Sequence, residues 1–127
     1  MACYGALQET ATYLAYKAQK QRADQDNNLV LEAIYFLLGR DEAAHAGFYC
    51  KLVEFELAED RPGTLTDLAN VISKFQMPGV GLIQDYYQRL TGGGGGISPR
   101  TFFEFGVLPT LRRLGTTRAE LKQARRE

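Results

Sequence analysis

The sequence predicts an all-α protein organised around one long antiparallel helical hairpin. Three observations carry this. The stretches Ala2–Arg22 and Asn28–Ala58 contain no proline and hold apolar residues at helical spacing. A polar run, Ala23-Asp24-Gln25-Asp26-Asn27-Asn28, separates them, and Asp and Asn favour turns and helix N-caps. No segment reads as a strand.

In the first helix Cys3, Leu7, Ala11, Leu14 and Ala18 share one face. The opposite face holds Gly5, Glu9, Thr12, Tyr13 and Tyr16, and it is also fairly apolar. That helix is therefore expected to be covered on two sides, with Glu9 in a largely buried setting. The second helix, from Asn28 to Ala58, would be on the order of 45 Å long. Its expected inner face carries Leu31, Ile34, Leu38, Asp41, His45, Phe48, Leu52 and Phe55, with Glu42 and Tyr49 flanking it. Arg61-Pro62-Gly63 supplies the stop.

A third helix is expected over Leu65–Phe75, capped by Thr64 or Thr66 and broken by Met77-Pro78-Gly79. A fourth is expected over Val80–Leu90. Gly92–Gly96 reads as a loop, without the Gly-Lys-Ser/Thr ending of a phosphate-binding loop. Ser98-Pro99-Arg100 opens a short apolar helix through Leu108, with Pro99 tolerated in its first turn. The stretch from Thr116 to Glu127 reads as a charged helix or a frayed end.

Composition narrows the function classes. The 127 residues suit one domain, 1–127. Fifteen Lys and Arg balance fifteen Asp and Glu, which argues against a general nucleic-acid binder. A 45% hydrophobic content argues against disorder. No apolar run reaches the roughly 18 residues of a membrane span. The first nine residues lack a basic region and include Glu9, so they make a poor secretory signal. Two cysteines, Cys3 and Cys50, make no disulfide framework and read as idle thiols, and the expected compartment is the cytoplasm.

The chemistry concentrates at Asp41-Glu42-Ala43-Ala44-His45. Glu42 and His45, three apart on a helix, project to neighbouring positions, the metal-ligand spacing of helical bundles. Asp41 is better placed to support the imidazole than to ligate. The bland reading is a hydrogen-bonded core histidine among local acids. Hairpin geometry argues against it. Folded about Gln25-Asp26, the hairpin brings Glu9 level with Glu42. Glu9, Glu42 and His45 then amount to half of the carboxylate-bridged di-iron site of a ferritin-like bundle. For Glu9 taken alone, a solvated helix acid is the ordinary reading.

These segments carry a family resemblance. Gln8-Glu9-Thr10-Ala11-Thr12, and then Asp41-Glu42-Ala43-Ala44-His45 at a 33-residue Glu-to-Glu spacing, resemble the soluble acyl-carrier-protein (acyl-ACP) desaturases. Phe48-Tyr49, the Glu59-Asp60 and Thr64 region, Phe75-Gln76-Met77-Pro78-Gly79 and Leu108-Pro109-Thr110-Leu111-Arg112-Arg113 are similar too. The resemblance implies a ferritin-like bundle, usually a homodimer. It implies an oxidoreductase of fatty acid biosynthesis that inserts a double bond into an ACP-bound acyl chain, using O₂ and reduced ferredoxin at a di-iron centre. By position it implies Glu9, Glu42 and His45 as metal ligands, Thr12 on the oxygen-binding side and Asp41 in a histidine network.

Two departures stand out. Ala44 occupies the place of the family's usual Arg before the His. The family's other Glu and Glu-x-x-His helices, its amino-terminal half, have no counterpart here, and His45 is the sole histidine. Completing the site therefore calls for a second copy or a complementary chain. The other readings are a non-catalytic, truncated desaturase-like remnant or interaction subunit, and a metal-free helical dimer. Carboxylate and histidine ligands suit manganese as well as iron.

Overall fold

The computed structural model describes residues 1–76, 82, 84–85 and 97–126. The expected break at Met77-Pro78-Gly79 and the pentaglycine lie outside these residues, as does most of the expected helix over Val80–Leu90. Among the described residues the chain is all helix, with no strand.

Helix α1 (Ala2–Gln25) and helix α2 (Leu29–Glu59) form the long hairpin. Its turn is built by Asn27, whose φ of 56° is a left-handed conformation that asparagine tolerates. There the Asn28 N–H donates to the Ala23 carbonyl and the Asn27 N–H to the Asp24 carbonyl, closing the C-terminus of α1. The side chain of Asn28 then accepts from the Leu31 N–H and caps α2. One polar run thus ends one helix and starts the next.

Asp60 separates α2 from helix α3 (Arg61–Ser73), and its carboxylate caps α3 by accepting from the Gly63 N–H. Here the structure corrects the sequence reading. Arg61-Pro62-Gly63 is the first turn of α3, not a stop, because proline is compatible with the first turn, where N–H groups have no helical partner.

The later segment also runs further than expected. Helix α4 (Pro99–Phe102) passes through a π-helical turn, Phe103–Val107, into helix α5 (Leu108–Arg113). Pro109 lacks the N–H that an α-helix would give to the carbonyl four residues back. The widened turn absorbs this, with the Leu108 N–H donating to the Phe103 carbonyl. Gly115, at φ 65°, closes α5, and helix α6 (Arg118–Arg126) follows. Arg61 ties α6 to α3, donating to the Glu120 carboxylate at 2.9 Å and to the Gly115 carbonyl at 3.0 Å.

The core lies at the hairpin end away from the turn. Cys3, Ala6 and Leu7 of α1 meet Cys50, Val53 and Leu57 of α2, Leu65 and Leu68 of α3, and Val107, Leu111 and Leu121 of the later helices. Gly5 lets the hairpin close tightly there. A Cβ at position 5 would stand 2.7 Å from the Tyr49 ring.

The expected inner face of α2 faces outward. Leu31, Ile34, Leu38, Asp41, His45, Phe48, Leu52 and Phe55 are all exposed. Both faces of α2 are apolar, so periodicity alone could not say which one meets α1. The contacts of Gly5 with Tyr49, and of Gly39 with Tyr13 and Tyr16, select the other face. Gly5→Ala is expected to lower stability by about 1–3 kcal/mol, the usual cost of overpacking. Thermal unfolding checks this, and an unchanged melting temperature would show that Tyr49 moves aside freely.

Candidate metal centre

Three sequence-predicted ligands meet near the middle of the hairpin. Glu9 stands on α1 and Glu42 and His45 on α2, and one donor atom from each lies within 4.8 Å of the other two. His45 Nδ1 is 3.4 Å from Glu42 Oε2 and 3.6 Å from Glu9 Oε2. The two Glu side chains are about four-fifths buried, while the His45 side chain is 57% exposed. The acids are thus held between the helices and the imidazole at the rim.

Helical geometry supplies half of this arrangement. Residues three apart on one helix are neighbours, so α2 alone presents Glu42 and His45 together. Tertiary packing supplies Glu9 across the hairpin. The setting holds the Glu9 carboxyl above its ordinary pKa of 4.5. The largest cause is a hydrogen bond with the Glu42 carboxyl, followed by burial and by the negative charge of Glu42, while His45 pulls the other way. Two carboxyl groups this close disfavour both being ionised, which is why the shift is upward.

The donor set fits a divalent metal ion. Ligand atoms bonded at about 2.1 Å to one ion stand roughly 3.0–3.4 Å apart, close to the separations from His45. Two carboxylates and an imidazole suit iron, manganese or zinc. A cation would favour the ionised form of Glu9, opposing the causes that raise its pKa.

Asp41 does not join the group. It is exposed, and its carboxylate lies 4.0 Å from Arg40 Nε. One residue before Glu42 is about 100° around the helix, so Asp41 points away once Glu42 faces α1. Thr12 is half-buried one turn beyond Glu9, and its hydroxyl donates to the Gln8 carbonyl at 3.0 Å. Of the expected apolar lining residues, Tyr13 and Tyr16 pack against Gly39, while Phe48 and Leu52 face outward.

Sequence reading missed one charge. The Arg113 guanidinium of α5 reaches α2 beside Gly47, 3.6 Å from where a Cβ would stand. Two residues are about 200° around a helix, so Arg113 lies on the side of α2 away from His45; Gly47 is three residues after Ala44, so the guanidinium stands one turn along from Ala44 on a neighbouring part of the surface. Nothing in the sequence near Arg113 signals the contact, because it depends on how α5 docks. The two cysteines match expectation as free, buried thiols. Burial pushes Cys3 up to about 11 and raises Cys50 as well, so both are protonated and unreactive at neutral pH.

A family model described as fatty acid desaturase matches residues 1–91, a span that includes all three clustered residues. No curated protein and no solved structure matches the chain.

The raised Glu9 pKa has a definite sign. Its proton stabilises the metal-free fold fully below the ordinary value of 4.5, and that contribution is lost as pH rises through the higher folded value. Glu9→Gln keeps a hydrogen-bonding partner for Glu42 and removes the repulsion. It is expected to raise the melting temperature of the metal-free chain at neutral pH and to weaken divalent-metal binding by more than about tenfold. Melting curves with and without Fe(II) or Mn(II) read both effects, and a variant that still gains stability from metal would remove Glu9 from the ligand set.

Proposed function

The chain belongs to the fatty acid desaturase family, the acyl-ACP desaturases, and on that premise we propose that it is the metal-binding half of a di-iron desaturase. The observation that carries this reading is the meeting of Glu9, from one helix, with the Glu42-x-x-His45 pair of the next. Glu9, Glu42 and His45 hold the iron. His45 would offer its imidazole at the rim, and Glu9 and Glu42 would offer carboxylates from between the helices. Iron held there would supply redox chemistry: with two electrons from ferredoxin and two protons, O₂ would be reduced to two waters as two hydrogens leave adjacent carbons of an ACP-bound acyl chain, which becomes a cis alkene.

Each residue of this chain has a stated task. Glu9 would ligate as the carboxylate, and because its pKa is raised, metal binding would strengthen as pH rises. Packing against α1 sets the orientation of Glu42, whereas His45 is positioned mainly by the backbone of α2. Thr12, one turn from Glu9, lies on the oxygen-binding side. Asp41 is exposed in this chain, and supporting a histidine requires a change of rotamer or a covering surface.

Three side chains are half of a bundle-type di-iron ligand set. The remaining ligands come from outside these residues, a second copy being one source, together with a cover for the outward face of α2, where Leu38, His45 and Leu52 lie exposed. Among the described residues no helix is long and apolar enough to cross a membrane. This agrees with a cytoplasmic enzyme of lipid metabolism that meets acyl-ACP and ferredoxin as separate proteins.

A second reading is a non-catalytic desaturase-like subunit that binds metal or a helical partner. The 57% exposure of His45 favours it, since desaturation needs a centre shielded from water.

Anaerobic loading with Fe(II), followed by iron analysis across the size-exclusion peak, separates these readings. A di-iron centre shared by two copies gives about one iron per chain in a dimer. His45→Ala and Glu9→Ala are each expected to lose that iron while keeping native helicity by circular dichroism. Iron content unchanged in both variants would refute the ligand assignment. Iron held stoichiometrically by a monomer with no acyl-ACP turnover would favour the subunit reading.

A further inference from the structure

A separate cleft lies away from the three-residue cluster, where α6 packs over α3 and the π-helical turn. Its volume is about 220 Å³. The floor is apolar and includes Ile72 of α3, Phe103 of the π-helical turn and Leu121 of α6. The rim carries Arg118, Lys122 and Arg125. Their spacing of four and then three residues puts all three on one face of α6. Among the described residues no carboxylate lines the cleft.

The charge on this rim is not spent elsewhere on the helix. Glu120 is the one acid of α6, and Arg61 and the Thr117 N–H hold it. The Arg118 guanidinium sits over the Phe103 ring, 5.3 Å from its centroid. Stacking of that kind engages the flat face of the guanidinium and leaves its N–H edge to meet an anion. The long stems of Lys122 and Arg125 cover apolar surface while their heads stay in water.

We propose that this cleft binds a small amphiphilic carboxylate. The apolar body lies against Ile72, Phe103 and Leu121, and the carboxylate meets the cationic rim. Charge complementarity selects the anion, and a planar carboxylate matches the donor edge of a guanidinium. Size selects a short ligand, since sites for drug-sized molecules run to roughly 300–1,000 Å³. The cleft uses none of the proposed metal ligands, so the inference stands apart from the reading of the metal centre.

Phenylbutyrate is a suitable probe, with phenylbutanol as its uncharged counterpart. Titration of the full chain, followed by methyl NMR, is expected to shift Ile72, Val107 and Leu121 with phenylbutyrate and to show at least tenfold weaker binding of phenylbutanol. The double variant Lys122→Glu with Arg125→Glu is expected to weaken phenylbutyrate at least tenfold and to leave phenylbutanol unchanged. If charge reversal unfolds α6 by circular dichroism, Lys122→Gln with Arg125→Gln takes its place, with an expected loss of about threefold or more. Equal binding of acid and alcohol, full affinity in the folded double variant, or shifts confined to the outward leucines of α2 would overturn the proposal.

Discussion

The close approach of α1 and α2 is the constraint on which the rest of the structure depends. Gly5 lies against the Tyr49 ring where a Cβ would clash, and Gly39 meets Tyr13 and Tyr16 at ordinary van der Waals distance. These contacts fix both the separation and the rotation of the two helices. With them set, Glu9 stands level with Glu42, and Cys3, Leu7, Val53 and Leu57 share one dry core. A rotation of α2 by one residue, about 100°, would turn Glu42 away from Glu9 and dissolve the cluster. The chemistry of the site thus rests on packing some distance from it.

The same choice of face leaves α2 two-sided in character. One side is closed by α1, α3 and the later helices. The other presents Ile34, Leu38, His45, Phe48, Leu52 and Phe55 outward. An exposed apolar face of this extent is the kind of surface that a binding partner covers. The exposed imidazole of His45 stands within it, so a surface covering these apolar residues would also cover His45.

Electrostatics follow from that half-open state. Glu9 is held beside the Glu42 carboxyl, and the hydrogen bond between them, burial and the charge of Glu42 raise the Glu9 pKa. A divalent ion would oppose that shift. At the far end of the molecule the arrangement is reversed. Arg61 neutralises Glu120, and Arg118, Lys122 and Arg125 remain as a cationic rim over an apolar floor. The two regions differ in charge because one gathers its acids across a helix pair and the other spends its acid on a tie between helices.

Much of this protein was legible in its sequence. Periodicity and the polar run determined the hairpin, its turn and the helical class, because these depend on local spacing and on the turn chemistry of Asn and Asp. The Glu-x-x-His pair needed only the helix repeat, and equal distances from the turn matched Glu9 to Glu42. Tertiary structure decided the rest. It turned Asp41 outward, and it made Arg61-Pro62-Gly63 a first turn where a stop was equally compatible with proline. It carried the late helix past Pro109 by widening one turn. Above all it chose which apolar face of α2 is buried. Spacing records that a helix has two greasy sides, but only the fit of glycine against tyrosine determines which side meets its neighbour.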